Sequence, residues 1–206
     1  ALQGIKTMST ISTPPINRLP IETYIEYFSP GLIKQYIGYE LSRGGQVYFL
    51  HNNVQSLTKI KRLIVEVCGN VGVEIISGKM NPSKVQNIIK DFSQGLFRVL
   101  ISTTIIENGI DIPNVNTIIV NNSHLFGLSQ LHQIRGRVGR HDRQAFAYLL
   151  VPKSLTLSRN AKSRLKSLEK NIALGSDETE IDYLLVNKLL EQVGLPNFKS
   201  KKNNKF

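Results

Sequence analysis

The chain has 206 residues, 41% hydrophobic and 20% charged, enough for one ordinary core and too apolar for a disordered segment. It carries 26 Lys and Arg against 15 Asp and Glu, a net charge of +11, with Cys68 as its single cysteine. One cysteine excludes an internal disulfide framework and a cysteine-based zinc site, while the basic excess favours a polyanionic partner. An AT-rich coding bias, which inflates Lys, Asn and Ile, is the competing source of the same charge.

Residues 1–22 hold Pro14, Pro15 and Pro20 with no sustained apolar period, and read as an extended linker. A strand is expected over 23–28 and a helix over 32–41, ended by Gly44 and Gly45. QVYFLH at 46–51 is a buried β-rich run. A helix over 55–68 follows, apolar at 57, 60, 63, 64 and 67. The pattern then predicts a strand over 73–76, a helix opened by Pro82 and running to 92, and strands over 98–102 and 117–120. A helix over 128–135 and a strand over 145–151 complete the series. Strands alternating with helices of this length call for an α/β fold with a parallel sheet and helices on both faces. Ligands of such sheets sit beyond the carboxyl ends of the strands, which points at the loops after Leu50, Ile76, Ser102 and Val120. Residues 153–170 carry six basic side chains and one acidic, 177–191 five acidic and one basic, and the end is a short basic tail. The amphipathic stretch 181–190 gives a short helical C-terminal extension.

Two blocks carry chemistry. In Gln133-Ile134-Arg135-Gly136-Arg137-Val138-Gly139-Arg140, three arginines fall within six residues and two glycines separate them. Glycine lets a backbone approach a ligand closely, and arginine presents a rigid fork matched to phosphate oxygens. The competing reading is a solvated basic turn after a helix. In Ser102-Thr103-Thr104 through Gly109-Ile110-Asp111-Ile112-Pro113, hydroxyls directly after a strand can donate to phosphate. Asp111 can accept from sugar hydroxyls or an arginine; the alternative is a loop whose threonines cap a helix. The four histidines share no metal-ligand spacing, and no metal site is expected in this chain.

Together, STTIIENGIDIP and QLHQIRGRVGR resemble motifs V and VI of superfamily 2 helicases. The subgroup is the one containing the bacterial transcription-repair coupling factor and the RecG-type branch-migration helicase. The lead-in LQGIKTMSTISTPPINRLP and the closing RHDRQAFAYLLVP look more like the coupling factor. The resemblance implies that residues 23–173 form the second of two RecA-like lobes, after a linker over 1–22 and before a divergent tail over 174–206. It implies that ATP binds between the lobes and that its hydrolysis drives movement along double-stranded DNA. Arg137 and Arg140 then reach the nucleotide phosphates, with Arg140 as the arginine finger, and Gln133 positions nucleotide or water. Gly109 and Asp111 match the pair near the ribose. Thr103 and Thr104 match the hydroxyls that grip a DNA phosphate, and 46–53, which includes His51, resembles the DNA-facing motif IV.

The chain departs from the family at Ser77-Gly78-Lys79-Met80, where His-Gly-Gln-Met is usual, leaving Lys79 to meet a phosphate. Asn108 replaces a threonine of motif V, and the sequence beyond Ala173 has no counterpart of the family's Arg-Gly-containing coupling loop. Gly78-Lys79 is the only Gly-Lys pair, and it fails the phosphate-cradling loop because Val73 and Met80 stand where Gly and Ser or Thr are needed. ATP with its Mg2+ is therefore expected to be held by a first lobe, in cis or in trans, and this chain alone should not hydrolyse it. Ala1 in place of methionine points to a piece of a longer polypeptide. Contact with a stalled RNA polymerase would pass through modules outside the chain. No run reaches the roughly 18 apolar residues of a membrane span and no secretory signal opens the chain, so a cytoplasmic location without a membrane partner is expected. The reading from a different class is a non-catalytic nucleic-acid-binding remnant of such an enzyme.

Overall fold

The computed structural model describes residues 19–69, 71–103, 115–139 and 143–170, with the side chains of 169 and 170 excluded. Six strands build one sheet: β1 (Glu22–Tyr27), β2 (Gln46–His51), β3 (Val73–Ile76), β4 (Val99–Ser102), β5 (Val115–Asn121) and β6 (Phe146–Val151). Their order is β1-β6-β5-β2-β4-β3, and every pairing is parallel. Five helices join them: α1 (Pro30–Ser42), α2 (Leu57–Cys68), α3 (Pro82–Ser93), α4 (Leu128–Arg135) and α5 (Arg159–Lys170).

A strand covered on both faces must be apolar on both, and β4, β5 and β6 are buried at every residue. The pleat sends alternate residues to opposite sides. Val47, Phe49, Phe146, Tyr148 and Leu150 meet Ile33, Tyr36 and Ile37 of α1 and Leu57, Ile60 and Ile64 of α2. Leu50, Ala147, Leu149 and Val151 belong to the opposite core, with Phe92 of α3, Leu131 and Ile134 of α4, and Leu165 and Leu168 of α5. The layering is that of the expected RecA-like lobe.

Local chemistry sets the boundaries. Pro30 and Pro82 stand in the first turns of their helices, where a missing N–H costs nothing. Asn81 caps α3 by accepting from the Ser83 amide at 2.9 Å. The helix expected over 55–68 instead opens with a separate tight turn, Val54–Ser56, because the Asn53 side chain accepts from the Gln55 amide at 3.0 Å. β5 runs beyond the expected 117–120 to include Val115 and Asn116, which are buried. β1 already begins at Glu22, whose amide donates to the Ala145 carbonyl at 2.9 Å. Helix α5 was not among the expected elements; Ala161, Leu165 and Leu168 are the buried stripe that docks it, and it packs against β1.

Candidate functional site

Because all strands are parallel, their carboxyl ends share one edge, and adjacent strands are roughly 4.8 Å apart there. Three expected nucleic-acid residues fall on neighbouring strands of that edge: His51 ends β2, Thr103 follows β4, and Lys79 stands in the turn after β3. Lys79 is exposed, on a turn closed by the Met80 amide donating to the Ser77 carbonyl at 3.0 Å. Thr103 is buried.

His51 is buried with both ring nitrogens engaged. Asn121 spends its Oδ1 on the Asn122 amide at 2.9 Å, so its Nδ2 is the group that donates to His51 Nδ1 at 3.0 Å. Nε2 then carries the proton and donates to Ser56 Oγ at 2.6 Å, and Ser56 Oγ donates to the Asn53 carbonyl at 3.3 Å. Burial pushes the His51 pKa below its ordinary value. A neutral imidazole so tied links β2, β5 and the loop over 52–56; its ring positions that loop. Asn122 sits in the left-handed region at φ 54°. Beyond the ends of β1, β5 and β6 lies an open cavity of about 420 Å³ lined by Phe28, Asn121, Asn122, Pro152, Lys153 and Ser154. The carboxyl-end rule pointed at the loop after Val120, where Asn121 and Asn122 stand, without assigning any of these lining residues to a site.

The arginine block lies elsewhere. Helix α4 starts near the carboxyl end of β5, at Gly127, whose amide donates to Gln130 Oε1 at 2.9 Å. It runs back toward the amino ends of the strands, presenting Gln133 to solvent. A tight turn continues it: the Gly136 amide donates to the His132 carbonyl at 3.0 Å and the Arg137 amide to the Ile134 carbonyl at 3.1 Å. Val138 is then fully buried. Gly139 has φ +79°, and a Cβ there would fall 2.8 Å from the Ala145 Cβ and 3.2 Å from Ile21 Cγ1. The turn is thus seated on residues that lead into β6 and β1. The carboxyl-end rule locates Thr103, His51 and Lys79 but not Arg135 and Arg137, which belong to the opposite edge. Burial lowers the Arg135 pKa from its ordinary value. Arg135 and Arg137 are both half-buried, and neither has a carboxylate within ion-pair distance among the described residues. Thr104, Gly109, Asp111 and Arg140 lie outside the described residues.

Among the described residues, no group of three or more His, Cys, Asp and Glu could hold a metal ion. No described helix is long and apolar enough to cross a membrane.

The sequence pattern of the helicase conserved C-terminal domain matches residues 30–142. The transcription-repair-coupling factor of Helicobacter pylori is 39% identical over 179 residues, covering 87% of this chain and 18% of that protein. The transcription-repair-coupling factor of Buchnera aphidicola from Acyrthosiphon pisum is 45% identical over 168 residues, 82% of this chain and 21% of its own length. The chain therefore spans about a fifth of the curated relatives it matches. Among solved structures, RecG bound to a three-way DNA junction superposes with a TM-score of 0.66 at 26% identity, over 90% of this chain and 25% of that one.

Proposed function

Since the chain belongs to the helicase conserved C-terminal domain family, we propose that it is the second RecA-like lobe of an ATP-dependent translocase on double-stranded DNA. The reading places it in transcription-coupled repair, on its similarity to transcription-repair-coupling factors. Arg137 and Arg140 reach the phosphates of ATP held by a first lobe, with Gln133 beside them. Thr103 and Lys79, at the opposite edge, hold backbone phosphates together with Thr104; Gly109 and Asp111 bind near the ribose, and His51 organises the DNA-facing loop from beneath.

The observation that carries the reading is the seating of Arg137. Its backbone is fixed by Val138 in the core and by Gly139 against Ala145 and Ile21, while its guanidinium has no carboxylate partner among the described residues. An unneutralised fork carried on a fixed backbone suits a developing phosphate charge, because its base is already in place when the charge appears. ATP supplies the phosphoryl group and its Mg2+ neutralises part of the charge; this chain's residues bind, orient and complement it.

An arginine finger is worth about 10³ to 10⁵ in turnover. In the complete two-lobe protein, Arg140→Ala and Arg137→Ala should each nearly abolish ATP turnover and leave duplex DNA affinity within about twofold. Retention of more than about a tenth of the turnover in both variants would remove the arginine assignment and favour a non-catalytic binding module.

A further inference from the structure

Glu40 is fully buried near the end of α1, at 0% exposure. Its Oε2 accepts from Thr117 Oγ1 at 2.6 Å and from Arg43 Nη2 at 2.9 Å. The same Arg43 Nη2 donates to the main-chain carbonyl of Gln144 at 2.8 Å. Its guanidinium lies 5.2 Å from the ring centroids of both Tyr39 and Phe146. Gln144 Nε2 donates to the Pro20 carbonyl at 2.7 Å, and Arg143 Nη1 returns to the Arg43 carbonyl at 3.2 Å. One network therefore joins the end of α1, the start of β5, the chain just after the arginine block, and the lead-in to β1.

Stability alone explains this network poorly. The Glu40 carboxylate is taken wholly out of water while Arg43 beside it stays 19% exposed, and apolar replacements of similar size often serve as well as such a pair or better. The cost is visible at two atoms: Glu40 Oε1 and Arg43 Nε are buried without a hydrogen-bond partner among the described residues. Burial raises the Glu40 pKa even though Arg43, Thr117 and Arg143 all pull it down. Gly45 makes room for the carboxylate, since a Cβ there would fall 1.7 Å from Glu40 Oε1. What the pair does accomplish is directional. Its outward bonds end on the main chain at Gln144 and, through the Gln144 side chain, at Pro20. In sequence Arg140 falls between two anchored points, Gly139 packed on Ala145 and Arg143 bonded to Arg43.

We infer that Glu40 and Arg43 are positioning residues: a latch seated on the buried Glu40 that fixes the exit of the arginine-bearing segment and ties it to the lead-in at Pro20. The inference rests on the proposed function only for its consequence in turnover. The latch itself is a statement about this chain, and a measurement without ATP can test it.

The variant that separates positioning from stability is Glu40→Gln with Arg43→Met. It leaves Thr117 an acceptor, keeps apolar bulk between Tyr39 and Phe146, and cuts the bond to Gln144. Amide hydrogen exchange on the full chain is the readout. Glu22 (donating to Ala145 O at 2.9 Å), Arg137 (to Ile134 O at 3.1 Å) and Val138 (to Arg135 O at 3.4 Å) report on the segment. Val99 (to Gly72 O at 3.1 Å) and Phe28 (to Val151 O at 2.7 Å) are the controls. Exchange should rise about tenfold or more at the first three, as local opening does, with the controls within about twofold. Glu40→Gln alone, the milder variant, should move the same three amides less. A uniform rise at all five, or none at Glu22 and Arg137, overturns the latch. In the two-lobe enzyme the double variant should lower kcat about fivefold or more at unchanged DNA affinity. If Arg137→Ala abolishes turnover while the double variant leaves both kcat and the three amides unchanged, the latch fails and the arginine assignment stands. If Arg137→Ala and Arg140→Ala are inert but the three amides open, the assignment fails while the latch stands.

Discussion

The two glycines of the arginine block look equivalent in sequence and are opposite in structure, so alanine at each should give opposite results. Gly139 has φ +79°, where an L-residue pays about 1–2 kcal/mol because its Cβ crowds the following carbonyl. The added Cβ would also sit 2.8 Å from the Ala145 Cβ, against a normal carbon contact of about 3.5–4.0 Å. Relieving that overlap in a packed region costs a further ~1–3 kcal/mol. Gly139→Ala should therefore lose about 2–5 kcal/mol in total. Gly136 has φ −64° and ψ −8°, and its added Cβ would meet only the His132 and Gln133 carbonyl oxygens, both at 3.5 Å. Alanine fits there and should gain about 0.4–1 kcal/mol by restricting the unfolded chain. Urea unfolding followed by far-UV circular dichroism resolves the two. With a slope near 2 kcal/mol per molar, a loss of about 3 kcal/mol lowers the midpoint by ~1.5 M. A Gly139→Ala midpoint within about 0.3 M of the parent, or a Gly136→Ala loss as large as that of Gly139→Ala, would refute the packing argument. The pair also separates a structural glycine from a ligand-facing one. If backbone at Gly136 closes on a phosphate, Gly136→Ala keeps stability and loses turnover in the two-lobe enzyme.

The Tyr148 ring stacks on Tyr36 at 3.6 Å and 7°, and its hydroxyl is buried without a hydrogen-bond partner among the described residues. Tyr148→Phe should be neutral or stabilising by up to about 2 kcal/mol, and a loss above about 1 kcal/mol in urea unfolding would reveal a partner for that oxygen. His51 has a folded pKa below its unfolded value, so the unfolded chain binds protons more readily as acidity rises. Its contribution is fully present above about pH 6.5 and is lost as pH falls through the folded pKa. His124 has the same sign. Unfolding free energies at pH 7.5 and 5.0 should fall less steeply for His51→Gln than for the parent, and an unchanged slope would show that the ring is not held neutral.

Most of the sheet was legible because buried strands announce themselves locally. QVYFLH at 46–51 and the four residues at 73–76 have the same limits in structure as in sequence, each a short β-rich run between turn signals. Helix α5 was hidden by its own surface: the six basic residues over 153–170 drew attention from Ala161, Leu165 and Leu168, whose spacing was the helical signal. The start of β5 at Val115 and Asn116 was missed because a buried asparagine looks like a loop residue; Thr117, where the expected strand began, bonds to Glu40, 77 positions away. The His51–Asn121 pair is as distant, at 70 positions. Local periodicity cannot report such contacts, since sequence separation leaves no pattern behind. The arginine block was legible as chemistry from residue types alone, yet its edge of the sheet was not. That placement depends on α4 doubling back after β5, a property of connectivity.

The separation of the two edges constrains how they could communicate. Helix α4 has eight residues, about 12 Å of rise, and its inner side, Leu131 and Ile134, is buried on the sheet. At its start β5 ends in Asn121, locked to His51; past its end Gly139 rests on Ala145 and Ile21. Close-packed interiors deform little, so a helix packed between two anchored points favours movement together with the sheet over rearrangement within it. Under the proposed function, ATP turnover would then act by rotating the whole lobe against its partner, displacing Thr103 and Lys79 together with Arg137, rather than by a wave of rearrangement through the sheet. The latch at Glu40 and Arg43 belongs to the same logic. It binds the arginine segment to the lead-in at Pro20, so that a pull on that lead-in and a pull on the arginines act on one rigid unit.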